Sequence, residues 1–149
     1  MSSSLEKIKQ YCAYQERCHS EVRSKLLSMK IYGEELENII VELIADEFLN
    51  EERFAKQYAR GKFYQKNWGK IKIKYELKSK GISAYLIQNA LSQIDDEDYE
   101  KTLFKLATQK LIILKKSNNR FAKMNAIKNY LQQKGYESHL IMKVIQEII

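Results

Sequence analysis

Apolar residues recur at helical spacing along nearly the whole chain. Leu36, Ile39, Ile40, Leu43 and Ile44 fall at i, i+3, i+4, i+7 and i+8, which puts them on one face of a helix. Leu86, Ile87, Ala90, Leu91 and Ile94 form a similar stripe, as do Leu140, Ile141, Val144, Ile145 and Ile148. Phe54, Ala55, Tyr58 and Ala59 mark a further helix, and Leu103, Leu106, Ala107, Leu111 and Leu114 a longer one. No segment alternates apolar and polar with period two, so no strand is predicted.

Turn residues punctuate these stripes. Lys80-Gly81-Ile82-Ser83 supplies a glycine to end one helix and a serine to cap the next, and Lys134-Gly135-Tyr136 supplies a similar stop. Asn67-Trp68-Gly69 and Ser117-Asn118-Asn119 are expected breaks as well. Aligning the turns exposes an internal repeat. Leu77-Lys78-Ser79-Lys80-Gly81-Ile82 matches Leu131-Gln132-Gln133-Lys134-Gly135-Tyr136, and both are followed by apolar pairs at the same offsets. An earlier copy reads Leu27-Ser28-Met29-Lys30-Ile31-Tyr32, ahead of Leu36, Ile40 and Val41, giving intervals of 50 and 54 residues. Each interval holds three helices and two turns. The pattern predicts an all-α chain of nine helices in three tandem three-helix modules over 1–48, 49–94 and 95–149, elongated and curved as stacked helical repeats are.

Composition supports this picture. The 149 residues include no proline and five glycines, and are 44% hydrophobic and 30% charged. Glu, Lys, Leu and Gln lose little on entering a helix, and no proline interrupts one. The two cysteines, Cys12 and Cys18, would lie about 240° apart on a helix and are expected to be free thiols in a reducing compartment. His19 lies beside Cys18, but His139 is the only other histidine, so a zinc cluster lacks ligands. No apolar run approaches the ~18 residues of a membrane span. The first residues, Met1-Ser2-Ser3-Ser4-Leu5, lack the basic and apolar regions of a secretion signal, so a cytoplasmic, non-membrane protein is expected.

Charge changes the picture more. The net charge is +7, which favours an anionic partner such as nucleic acid. The charges are blocked along the chain. Residues 34–52 hold eight acids and no Lys or Arg, whereas 53–80 hold ten basic residues against the single acid Glu76. Residues 95–100 hold five acids, and 101–149 hold ten basic residues against two acids. Such bands are either solvated helix faces or binding surfaces. There is no Walker motif, glycine-rich phosphate loop, paired-His metal signature or Ser/His/Asp constellation, so neither catalysis nor a cofactor is expected.

The segment from Phe48 to Leu91 carries a specific likeness. Phe48-Leu49-Asn50-Glu51-Glu52-Arg53-Phe54-Ala55 opens it, and Tyr58-Ala59-Arg60 and Lys66-Asn67-Trp68-Gly69 follow. Glu76-Leu77-Lys78-Ser79-Lys80-Gly81-Ile82 closes it. This resembles the signature of the RecX family of regulatory proteins. Ser20-Glu21-Val22-Arg23 and Tyr130-Leu131…Lys134-Gly135-Tyr136 extend the resemblance over nearly all of the chain from residue 11. Three positions depart from the family pattern: Ile31 and Asn67 stand where glycine is usual, and Glu52 where aspartate is. The resemblance implies tandem three-helix modules and a non-enzymatic protein that binds the RecA recombinase filament on DNA. It implies suppression of recombinase ATPase and strand exchange, in recombination, DNA repair and the SOS response. The partners expected are the filament and DNA, met directly or through the filament, with the chain itself a monomer. Basic bands would meet acidic RecA surface or DNA phosphates, forming a wedge that blocks DNA entry or holds adjacent protomers in a poor ATPase geometry. A stand-alone DNA-binding helical-repeat protein is the alternative, and a structural adaptor is a third.

The residues expected to carry binding are Arg53, Arg60, Lys62, Lys66, Trp68, Lys70, Lys74, Lys78 and Lys80. On the fifth helix, near 69–80, Lys70, Lys74 and Lys78 form one basic stripe beside an apolar stripe of Ile73 and Leu77. Ile71 and Tyr75 form a second apolar stripe roughly 160° from the first. It is expected to pack on a neighbouring module, the alternative being a partner. Trp68 either locks its turn or anchors the filament. Arg53 either pairs with Glu52 or Asp46 or faces RecA or DNA. Tyr58, Tyr64 and Tyr75, interleaved with Arg60, Lys62, Lys66 and Lys74, either stack bases or bury their rings.

Overall fold

A computed structural model describes residues 2–116 and 119–149. Among the described residues there are nine helices and no strand. They are α1 (Ser2–Tyr14), α2 (His19–Ser28), α3 (Gly33–Ala45), α4 (Glu51–Lys66), α5 (Lys70–Ser79), α6 (Ala84–Ser92), α7 (Asp96–Ile113), α8 (Arg120–Lys134) and α9 (Ser138–Ile148). Of the expected break at Ser117-Asn118-Asn119, the first two residues lie outside the described set. Asn119 caps α8, its side-chain oxygen accepting from the Ala122 amide at 3.0 Å.

The internal repeat is visible in the helix stops. At the end of α5 the Ile82 amide donates to Leu77 O with Gly81 at φ +83°, and at the end of α8 the Tyr136 amide donates to Leu131 O with Gly135 at φ +99°. These are six-residue closures through a left-handed residue. The stop after α2 has the same form: the Ile31 amide donates to Leu26 O, with Lys30 at φ +63° in the glycine's place. The predicted alignment is therefore one residue out in the first copy. Leu26, not Leu27, is the equivalent of Leu77 and Leu131, and all three are fully buried while Leu27 is 49% exposed. In the corrected register Ile31, Ile82 and Tyr136 coincide, as do Leu36, Ile87 and Ile141, and every one of these six is buried. Asn67, the other departure from glycine, takes φ +60° at the end of α4, a conformation that asparagine accepts more readily than most residues.

The chain forms two compact units. The first runs to Tyr58 and takes in Leu77–Ala90. Its core gathers Ile8 and Cys12 of α1, Val22 and Leu26 of α2, and Leu36, Ile39, Ile40 and Leu43 of α3, with Ile31 and Leu49 from the turns. Arg23 ties α2 to α3 through a two-pronged pair with Glu37, at 2.6 and 2.8 Å. That hydrogen bonding holds the Glu37 carboxyl below the usual carboxylate range. Both cysteines are free and buried. The second unit comprises Ala59–Glu76 and Leu91–Ile149. Here α7, α8 and α9 pack pairwise on one another. Tyr99, Leu103, Leu106, Ile127, Leu131, Tyr136, Ile141 and Ile145 are buried, together with Phe63 of α4 and Ile73 of α5.

Candidate functional site

The basic segment 53–80 is positioned by the way α5 begins. The first amides of a helix have no partner within it. In α5 they are met from outside: Gly69 N–H donates to Lys134 O at 2.7 Å and Ile71 N–H to Gly135 O at 2.9 Å. The Lys70 amide donates to the Tyr99 phenol oxygen at 2.9 Å, and that phenol in turn donates to the Glu137 carboxylate. The C-terminal end of α8 thus abuts the N-terminal end of α5, an arrangement their dipoles favour. The approach leaves no room for side chains. A Cβ on Gly69 would lie 2.3 Å from the Gly135 carbonyl, and one on Gly135 would lie 2.3 Å from Lys72 Cβ. Tyr136 closes the joint by donating from its hydroxyl to Asn67 O at 2.9 Å.

Held this way, α5 buries Ile73 and Leu77 and turns its other sides outward. Lys74 and Lys78, one turn apart, are exposed, and no carboxylate among the described residues lies within ion-pair distance of either. Lys66 and Arg60 of α4 are exposed and unpaired in the same sense, Arg60 lying over the Tyr64 ring at 5.2 Å. The expectation that Ile71 and Tyr75 pack on a neighbouring module is not met: they are 53% and 69% exposed. The joint with α8 has already fixed which side of α5 faces inward, so the second stripe stays in solvent beside the lysines.

The remaining predicted residues have partners within the protein. Lys70 lies over the Tyr99 ring at 4.7 Å, with Asp96 3.9 Å away. Lys80 sits 3.9 Å from Glu21 and 5.7 Å from the Tyr58 ring. Trp68 is half-buried, with the ammonium groups of Lys62 and Lys72 at 4.9 and 4.4 Å from its ring. Lys72, which sequence reasoning passed over, stands one helical turn beyond Trp68 and so reaches its ring. Arg53 pairs with neither Glu52 nor Asp46, which are taken by Lys56 at 3.1 Å and Lys9 at 3.7 Å. Instead its Nε donates to Glu16 at 2.5 Å and its Nη2 to Glu47 O at 2.9 Å. Of the interleaved tyrosines, Tyr58 is half-buried, while Tyr64 is exposed and donates to Asp98 at 2.8 Å. Among the described residues no group of three or more His, Cys, Asp or Glu side chains is placed to hold a metal ion, and no helix is long and apolar enough to cross a membrane.

Comparison with known proteins agrees on one family. A family model described as RecX, second three-helix domain, matches residues 50–91, the stretch that holds α4 to α6. The regulatory protein RecX of Clostridium perfringens strain 13 is 30% identical over 133 residues, covering 89% of this chain and 62% of the relative. That of Oceanobacillus iheyensis is 28% identical over 138 residues, covering 93% of this chain and 50% of the relative. The chain thus spans between half and about three-fifths of the length of these two relatives. Among solved structures, that of RecX from Lactobacillus salivarius superposes with a TM-score of 0.88 at 29% identity, over 99% of this chain and 95% of the other. A second regulatory protein RecX shares the fold with a TM-score of 0.86 at 23% identity, over 98% of this chain and 71% of the other.

Proposed function

The chain belongs to the RecX family of regulatory proteins, and from that premise we propose that it binds a RecA filament on DNA and lowers its ATPase and strand-exchange activity. It does so in the cytoplasm, as a monomer, during recombination and DNA repair. It acts by occupying a surface and performs no reaction of its own. The observation that carries this reading is the set of cations in the second unit, Arg60 and Lys66 of α4 and Lys74 of α5, which are exposed with no carboxylate partner among the described residues, as is Lys78 one turn further along α5. Unpaired like charges repel one another, and an anionic partner relieves that repulsion. Ile71 and Tyr75, exposed on the same helix as Lys74 and Lys78, add apolar surface that phosphates alone would not use. A protein surface, or protein and DNA together, fits this mixture better than a DNA backbone by itself.

The test replaces Lys66, Lys74 and Lys78 together with alanine. Lys70 is left in place because its contacts with Tyr99 and Asp96 belong to the fold. The variant should keep its helical circular dichroism and need at least about tenfold more protein to inhibit DNA-dependent RecA ATPase, a loss of roughly 1.4 kcal/mol. Unchanged inhibition by the folded variant would reject this set. It would move the interface to the later basic band of Lys110, Lys115, Lys116, Arg120 and Lys123. Inhibition absent already in the unaltered chain would reject the filament reading itself.

A further inference from the structure

Basic and acidic residues are divided unequally between the two units. The first unit carries ten Lys and Arg against eleven Asp and Glu, and the second carries sixteen against eight. The chain's positive charge therefore resides in the second unit. Within the net-acidic first unit there is nevertheless one open groove of about 480 Å³ with no carboxylate among its described lining residues. Lys7, Gln10, Tyr11, Tyr14, Arg17 and Lys25 line it, with Met29 the one aliphatic side chain. Such a groove cannot be ascribed to a generally basic surface.

Its construction follows from α1. Ile8 and Cys12, four apart, are buried, which anchors one side of the helix in the core. Lys7, Gln10, Tyr11 and Tyr14 follow at i, i+3, i+4 and i+7 and share another face. Arg17, in the turn to α2, donates from Nε to Tyr11 O at 3.2 Å and lies 3.8 Å from the centre of the Tyr11 ring. One nitrogen and one face of its guanidinium are thus fixed by the protein, and the Nη groups have no protein acceptor among the described residues. A guanidinium held in this way is a ready fork for a phosphate. Lys25 approaches the same ring to 5.5 Å. The acids nearest in sequence to Arg17 are engaged elsewhere: Glu16 by Arg53 at 2.5 Å, and Glu21 by the Cys18 amide at 3.0 Å and Lys80 at 3.9 Å. Tyr14 is 83% exposed at the end of α1. Three cations with no carboxylate partner among the described residues, a half-buried aromatic under one of them, an open aromatic and an amide in a single groove match the chemistry of an unpaired nucleotide strand. Aromatic faces take bases and the cations take the phosphates between them.

We infer that this α1–α2 groove is a second binding site, specific for single-stranded nucleic acid, in which Tyr14 stacks on an unpaired base while Lys7, Arg17 and Lys25 hold the flanking phosphates. The site requires no recombinase, so it stands or falls separately from the filament reading. An acidic peptide would use the cations and leave Tyr14 idle, and duplex DNA keeps its bases stacked away from the ring.

The test is fluorescence anisotropy of a labelled oligothymidine and of a duplex of equal length, with the whole chain and no RecA. Both are measured in the Lys66, Lys74 and Lys78 alanine background so that these α4 and α5 cations do not contribute. Tyr14→Ala should weaken oligothymidine binding by about five- to tenfold, the loss of one base stack, and leave duplex binding unchanged. Tyr14→Phe should restore the single-strand affinity. Replacing Lys7 and Lys25 with glutamine should flatten the salt dependence of oligothymidine binding by about 1.4 in log–log slope, about 0.7 per phosphate contact on a single strand. Arg17 is spared because it also supports the Tyr11 turn. Oligothymidine affinity unaffected by Tyr14→Ala overturns the proposal, as does a salt slope unaffected by the double glutamine variant with its helical signal intact.

Discussion

The phenol of Tyr99 has partners on two other elements, accepting from the Lys70 amide at 2.9 Å and donating to the Glu137 carboxylate. Burial, followed by the hydrogen bond to Glu137, raises its pKa well above the ordinary tyrosine value. Burial likewise raises that of Tyr136, with the charge of Glu137 adding to it. In the unfolded chain both phenols ionise near pH 10, so the fold favours their protonated forms. The stability they contribute is fully present below about pH 10 and is lost as pH rises beyond it toward the folded-state values. Thermal unfolding followed by circular dichroism should therefore show a melting temperature that drops between pH 9 and 11. Alkaline pH weakens other interactions as well, so the comparison that isolates the phenol is Tyr99→Phe. At pH 8 this variant should lose about 1–3 kcal/mol, because the Lys70 amide and Glu137 are left without their partner. Its further loss on going to alkaline pH should be smaller than that of the parent. An alkaline drop of the same size in both proteins would show that Tyr99 is not a source of it.

At the scale of the element, α5 shows what can be read from sequence and what cannot. Its helical spacing, its lysine stripe and its two apolar stripes are plain in the residues 70–79. Which stripe faces inward is not, since Ile73 with Leu77 and Ile71 with Tyr75 are equally good i, i+4 pairs. The choice is made by Lys134, Gly135 and Tyr99, more than twenty residues away in sequence, which grip the first turn of α5. No local periodicity reports such a contact. The one-residue slip in the first repeat has a similar origin. The left-handed residue there is Lys30 rather than glycine, so no glycine sets the register of that turn, and from sequence alone Leu27 is indistinguishable from its buried neighbour Leu26. Arg53 is a third case, because its partner Glu16 lies beyond both α2 and α3 in the sequence, while Glu52 and Asp46 are nearer. By contrast, the nine helices among the described residues, the cap at Ser83 and the stop at Gly135 follow from local chemistry and are legible; at Asn119 only a break is, its capping role being visible in the structure alone. The outcome on α5 can be measured. Ile73→Ala should cost about 2–5 kcal/mol in urea unfolding through the cavity it leaves. Ile71→Ser and Tyr75→Ser should each change stability by less than about 0.5 kcal/mol, as solvent-facing substitutions do. Comparable losses at Ile73 and at either serine site would mean that the outward stripe is packed after all.

For the whole molecule, the sequence repeat and the packing divide the chain differently. The repeat groups α4, α5 and α6 as one module over 49–94, and the family model matches residues 50–91. Packing instead assigns the chain up to Tyr58 and Leu77–Ala90 to one unit, and Ala59–Glu76 to the unit that holds α7, α8 and α9. Physical dependence should follow the packing. Among the described residues, the amides of Gly69, Lys70 and Ile71 are satisfied by groups beyond residue 94, namely Lys134 O, Tyr99 Oη and Gly135 O. Phe63, buried in the second unit, contacts the Tyr99 ring at 5.5 Å between centroids. A fragment ending at Ile94 keeps the α1–α3 core whole, with Ile8, Val22, Leu26 and Leu43 in place. It removes the partners of the start of α5 and of the end of α4. Amide hydrogen exchange on this fragment should show Leu26, Ile40 and Leu43 protected nearly as in the full chain. Lys70 through Ile73 should exchange at rates close to those of an unstructured peptide, because an unsupported helix of about ten residues is marginal in water. Equal protection of α5 in the fragment and in the full chain would mean that the middle three helices stand alone. The contacts with Tyr99, Lys134 and Gly135 would then be an embellishment of α5 and not its support.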